Sequence, residues 1–189
     1  TQDQTTGVTD YFSKVDGALA NALTLVNLDE VPVISVATGN NEALTSSTMS
    51  TFLSIFEGMA FTVEEFNILT EEVPQDTQVL IIPTVTTDYT AEEITKLREF
   101  LSDDTEAKSK TIVYSCFYSQ GNLPNLESFL EEWGVSVGAG IVQETNTSNY
   151  YNDPAMLFAN SNTEVLEGSY GYLLSPVSSP IEFTFSTNN

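Results

Sequence analysis

Apolar residues recur along this chain at two spacings, and the alternation between them predicts an α/β fold. From Thr9 or Asp10, either of which can cap a helix, Phe12, Val15, Leu19, Ala22, Leu23 and Val26 mark one helical face as far as about Asn27. Pro32 introduces VISVATG, a short apolar run closed by Gly39, which reads as the first strand of a parallel sheet. Met49, Phe52, Leu53 and Phe56 give the next helix its stripe, and Gly58 stops it. FTVEEFNI at 61–68 alternates in part, as a half-buried strand does. After a turn over Val73 to Asp76, VLIIP at 79–83 is fully apolar and predicts a central strand.

Thr90-Ala91-Glu92-Glu93 has the spacing of a capping box, in which Thr90 and Glu93 each satisfy the other's backbone amide. Ile94, Leu97 and Leu101 then mark a buried helical side, and Ser102 to Lys110 reads as a charged surface loop. Thr111 to Tyr118 is apolar, β-branched or aromatic at nearly every position, which predicts a strand covered on both faces. Leu126, Phe129, Leu130 and Trp133 fall on one stripe, with Glu127, Glu131 and Glu132 opposite; Gly134 ends that helix, and a short strand pair follows to Val142. Strands alternating with helices predict right-handed βαβ units in a three-layer α/β sandwich around a mainly parallel sheet, flavodoxin-like in outline. After Glu144 the pattern changes to a polar loop and then AMLFANS, EVLEG, YGYLLSPV and PIEFTF, read as an antiparallel β extension. The expected division is an N-terminal segment with its helix (1–30), an α/β core (31–144) and a β-rich extension (145–189) packing on the same domain.

Charge narrows the partners. The net charge is −22, from 27 acidic against five basic residues, and those five are Lys14, Lys96, Arg98, Lys108 and Lys110. Such a surface repels nucleic acid and anionic bilayers, and leaves cations, neutral sugars, peptides or a basic patch on another protein open. Acidity by itself also serves solubility. Histidine is absent and Cys116 is the one cysteine, so histidine-activated Ser or Cys nucleophiles, histidine zinc sites and an intrachain disulfide are excluded. No apolar run approaches the ~20 residues that span a bilayer, and no basic-then-apolar leader opens the chain. A start at Thr1 and a polar tail are expected of a mature or excised portion of something longer, with any anchor outside these residues.

Ligands of open parallel sheets collect at the carboxyl ends of the strands. Three loops are expected there, and they supply the candidate binding residues: Gly39, Asn40, Asn41 and Glu42; Thr84 and Asp88; Ser119, Gln120 and Asn122. None carries a GxGxxG or phosphate-loop pattern, so no nucleotide cofactor is expected. Cys116, crowded by Tyr114, Phe117 and Tyr118, reads as a buried structural cysteine, and Trp133 reads as core. Tyr150, Tyr151, Tyr170 and Tyr172 sit in polar contexts and are candidate contacts to a sugar or a protein, against an ordinary packing role. The carboxylate pairs Glu92–Glu93 and Asp103–Asp104 lack the apolar setting that would raise one pKa for acid–base work. No metal ligand set has a recognised spacing.

The order VPVISVATGNNE, a helix, FTVEEFNI, VPQDTQVLIIPTVTTDYTAEEITKLREFL, a strand, then LPNLESFLEEWGVSVGAGIV resembles the extracytoplasmic domain of GldG-type auxiliary components of ABC transporters. The likeness spans about Val31 to Val142, and SPVSSPI at 175–181 matches a later family segment more faintly. It implies a class I glutamine amidotransferase-like fold without that enzyme's triad: a non-catalytic domain outside the cytoplasmic membrane, anchored by transmembrane helices and partnered with an ABC permease and ATPase. The family's first loop often reads Gly-His-Gly-Glu, whereas this chain has Gly39-Asn40-Asn41-Glu42. A carboxylate-dependent hydrolase of glycans or peptides and a tyrosine-lined sugar-binding module are the alternative readings.

Overall fold

In the computed structural model, residues 31–102, 110–159 and 173–184 are described, together with Leu19, Ala22, Leu23 and Val26. Four strands, β1 (Val33–Thr38), β2 (Thr62–Asn67), β3 (Thr77–Ile82) and β4 (Thr111–Tyr114), form an all-parallel sheet in the order β2-β1-β3-β4. Side chains alternate between its faces. Ile34, Val36, Val63, Val79 and Ile81 point to one face, where helix α1 (Ser50–Gly58) packs Leu53 and Phe56 against them. Ala37, Phe66, Leu80 and Ile82 point to the other, under helices α2 (Ala91–Ser102) and α3 (Pro124–Glu132), which bring Ile94, Leu97, Phe100, Leu126 and Phe129. The chain is therefore an α/β three-layer fold with a parallel core. Among these, each fully buried Val, Leu, Ile or Phe side chain contributes about 1.5–3 kcal/mol.

The predicted capping box forms at α2: the Thr90 amide donates to Glu93 Oε2 at 2.8 Å, and the Glu93 amide to Thr90 Oγ1 at 3.3 Å. Gly134 ends α3 at φ 72°, a backbone conformation that favours glycine. β3 is interior, as its uninterrupted apolar run predicts.

Four expectations need correction. β4 is shorter than the apolar run 111–118 and lies at the sheet's edge among the described residues, so Val113 is 39% exposed instead of covered. Trp133 is 52% exposed, because it sits at the C-cap of α3, past the turn that packs on the sheet. On α1 only Leu53 is fully buried and Phe52 faces outward. The strand after α3, β5 (Val135–Val137), does not pair within its own segment but antiparallel with β8 (Ile181–Phe183), while β6 (Met156–Ala159) pairs antiparallel with β7 (Leu173–Pro176). The C-terminal region is thus antiparallel, as expected, and one of its strands is tied to the core's last strand. Leu19, Ala22, Leu23 and Val26 are helical and exposed; the rest of the predicted N-terminal helix, the 103–109 loop and the EVLEG strand lie outside the described residues. Among the described residues no helix is long and apolar enough to cross a membrane.

Candidate functional site

The sheet order reverses between β1 and β3, so the loops leaving these two strands frame the crevice where ligands of such sheets sit. Here they are bonded to each other. The Ala43 amide donates to the Thr84 carbonyl at 2.7 Å, and Thr87 donates to the Asn40 carbonyl at 3.0 Å. Asn41 Nδ2 donates to Thr87 Oγ1 at 2.7 Å, Thr86 Oγ1 donates to the Asn41 carbonyl at 2.8 Å, and Glu42 bridges Val85 in antiparallel fashion. The crevice is closed by backbone and by short side chains.

Individual residues explain how. Gly39 has φ 122°, and a Cβ there would come within 2.7 Å of Asn67 Oδ1, so only glycine lets the chain leave β1 at this angle. Asn41 takes φ 52°, which asparagine tolerates. Glu42 accepts the Asn40 amide at 2.8 Å. Asn40 is 1% exposed, and its side-chain oxygen and nitrogen have no hydrogen-bond partner among the described residues; the same holds for the Tyr89 hydroxyl and Glu93 Oε1. Burial, then the carboxylates of Glu93 and Glu42 and the Tyr114 phenol, push the Tyr89 phenol far above its ordinary range.

The third loop is held from within. Gln120 Oε1 accepts from the Tyr114 hydroxyl at 3.1 Å and the Phe117 amide at 3.2 Å, while its Nε2 donates to the Val85 carbonyl at 2.9 Å. Burial pushes Tyr114 up to about 12, and the Gln120 contact opposes that in part. Thr84 Oγ1 lies 3.1 Å from Ser115 Oγ. Asp88 accepts the Asn125 and Leu126 amides at 3.0 and 3.2 Å, so this carboxylate from the β3 loop neutralises the positive end of α3. Ser119 and Asn122 are exposed. Asn40, Asn41, Glu42, Thr84 and Gln120 therefore belong to one bonded framework, Gly39 shapes the exit from β1 and Asp88 holds the start of α3, while Ser119 and Asn122 stand outside these bonds.

Tyr150 and Tyr151 do not join them. Tyr150 bridges Leu157, and Tyr151 is half exposed with its ring 6.5 Å from Phe158. Tyr170 and Tyr172 lie outside the described residues. Cys116, expected to be buried, is instead partly exposed beyond the end of β4, and partial burial raises its thiol. No three His, Cys, Asp or Glu side chains converge as a metal would require among the described residues.

Two open features flank the closed crevice. A pocket of about 270 Å³ lies at the carboxyl end of β4, lined by Phe117, Tyr118, Asn122, Glu127, Gly138 and Ser179 among others, with the Phe117 and Tyr118 rings 4.5 Å apart. Beside it, sharing Tyr114, Leu130 and Val137, runs a mostly apolar groove of about 430 Å³ between β4 and β5. The pocket falls at the third loop expected from the sequence, and two of its candidate residues, Gln120 and Asn122, line it; the groove and the part of Phe117 and Tyr118, taken only as crowding Cys116, were not expected, and two adjacent aromatics after the end of a strand were the available signal.

An α/β fold with a parallel core, closed at the ends of β1 and β3 and open at the end of β4, is the class these features define. No family model matches the chain, and no curated protein matches it. Among solved structures, the mmIFT52 N-terminal domain superposes with a TM-score of 0.59 at 15% identity, covering 80% of this chain and 68% of that one. At that identity the likeness is one of fold.

Proposed function

We propose that this chain is a non-catalytic interaction domain: the extracytoplasmic part of an ABC-transporter accessory subunit, as its resemblance to GldG-type components implies. The observation that carries the binding reading is the mutual bonding of the β1 and β3 loops across the switch point, which leaves no open crevice at the position where an enzyme of this architecture would seat a substrate. The carboxylates that a hydrolase would use there are already committed, Glu42 to the Asn40 amide and Asp88 to the first turn of α3. The basic groups Lys96, Arg98 and Lys110 are likewise engaged within the chain, Lys96 on the Ile68 and Glu71 carbonyls, Lys110 on the Gln75 and Thr77 carbonyls, and Arg98 in an exposed ion pair with Glu132. The surface offered to a partner is then strongly anionic.

The test is affinity capture of the natively expressed, tagged protein from detergent-solubilised membranes, with identification of what survives washing. Recovery of an ABC permease or its ATPase is the expected result. Their absence, under conditions that retain other transporter complexes, would overturn the accessory-subunit reading.

A further inference from the structure

The groove beside β4 is bounded by strand edges. In the β3–β4 pairing the Ser115 amide donates to the Ile82 carbonyl, so by alternation Ile112 and Tyr114 turn their N–H and C=O groups to the outer edge. No described residue bonds to them. β5 is paired with β8 along one edge, and Val135 and Val137 line the groove from the other side, opposite Thr111, Ile112 and Tyr114. Trp133 and Ile181, each more than half exposed, form its apolar rim.

At the carboxyl end of β4 this groove runs into the smaller pocket, whose chemistry differs. The Phe117 and Tyr118 rings supply two π faces and Glu127 supplies a carboxylate, of which, among the described residues, only Oε1 is engaged, by the Leu123 amide at 3.3 Å. Among the described residues no Lys or Arg lines that pocket. Aromatic faces beside an uncompensated carboxylate select an ammonium or guanidinium group.

From this continuity we infer that the β4 edge and its two adjoining cavities form a docking site for an extended segment of a partner protein, with apolar residues along the groove and a lysine or arginine in the Phe117–Tyr118–Glu127 pocket. The segment adds a strand at the edge of the sheet, taking the outward backbone groups of Ile112 and Tyr114 as its hydrogen-bond partners. The net charge of −22 favours approach of a basic segment. This deepens the interaction-domain reading and rests on it, while specifying a face and a ligand chemistry.

The experiment titrates the isotopically labelled chain with the acetylated, amidated peptides Val-Thr-Val-Thr-Arg and Arg-Thr-Val-Thr-Val, and with versions carrying neutral citrulline for arginine. Shifts of the Ile112 and Tyr114 amides and the Trp133 indole are expected with at least one arginine peptide, which binds about tenfold more tightly than its citrulline partner. Glu127→Gln, which keeps an acceptor for Leu123, should weaken the arginine peptide about tenfold, and Glu131→Gln on the exposed side of α3 should not. Equal affinity for arginine and citrulline, equal effects of the two glutamine variants, or slow hydrogen exchange at Ile112 and Tyr114 in the free chain would each overturn the inference. Because no transporter is present in this titration, its outcome is independent of the membrane capture; a peptide that binds while no permease is recovered would leave the docking face standing and remove only the transporter assignment.

Discussion

Two tyrosines near the closed crevice differ by one hydrogen bond, and substitution separates their contributions. The Tyr114 hydroxyl donates to Gln120, whereas the Tyr89 hydroxyl is buried without a described partner. Tyr114→Phe should therefore cost about 1 kcal/mol, and Tyr89→Phe should be neutral or stabilising, because it removes a desolvated group that has no bond to lose; chemical denaturation of both variants measures the difference. Both phenols are raised in the folded state, so they favour the fold fully below their ordinary value of 10.0, and that contribution is lost as pH climbs, for Tyr114 through about 12. An alkaline loss of stability beginning near pH 10 is expected, with a smaller slope in the double phenylalanine variant. Gly39→Ala meets both a φ of 122° and Asn67 Oδ1 at 2.7 Å, and should lower stability by about 1–3 kcal/mol in thermal unfolding.

At the level of elements, α3 is held by a residue outside it. Its N-cap, Leu123, has no side chain able to accept an amide, and Asp88, more than thirty residues earlier, does so instead. Asp88→Ala should cost about 1 kcal/mol and lower amide protection in the first turn of α3 specifically, while Asp88→Asn, which keeps one acceptor, should lose less. This long-range cap also illustrates which parts of the structure were legible in the sequence. The Thr90–Glu93 box could be read because its two partners are three residues apart, and β3 because an apolar run needs no knowledge of its neighbours. Asp88's role could not, since only the folded sheet brings it to Asn125. The same holds for β4: its composition is that of a strand buried on both sides, but whether a helix covers Val113 depends on the path of the chain. Likewise the loops after β1 and β3 were placed correctly at the strand ends, while their mutual bonding, which closes the candidate site, is a matter of register between distant segments. The loop that carries the aromatic pocket was expected at the end of β4, but the pocket itself was not legible, because its wall joins that loop to α3, to β5 and the residues after it, and to Ser179.

Across the whole molecule, a strand edge that is unpaired among the described residues belongs to a chain of charge −22, and the two facts bear on each other. A free edge is a template on which a second copy of the same chain could align. At neutral pH two such bodies repel, and the copies stay apart while an oppositely charged segment is drawn in. The repulsion is colloidal, so it can be switched off without touching the fold: it fades with added salt and vanishes near the isoelectric point of about 4.1. Light scattering is expected to show a single small species at neutral pH and low ionic strength, and growing assemblies as pH approaches that point. A Val113→Lys change, at an exposed edge position, should delay their onset. The acidity of this chain then has a second physical meaning: it is the guard that lets a sticky edge remain open for another molecule without being consumed by its own kind.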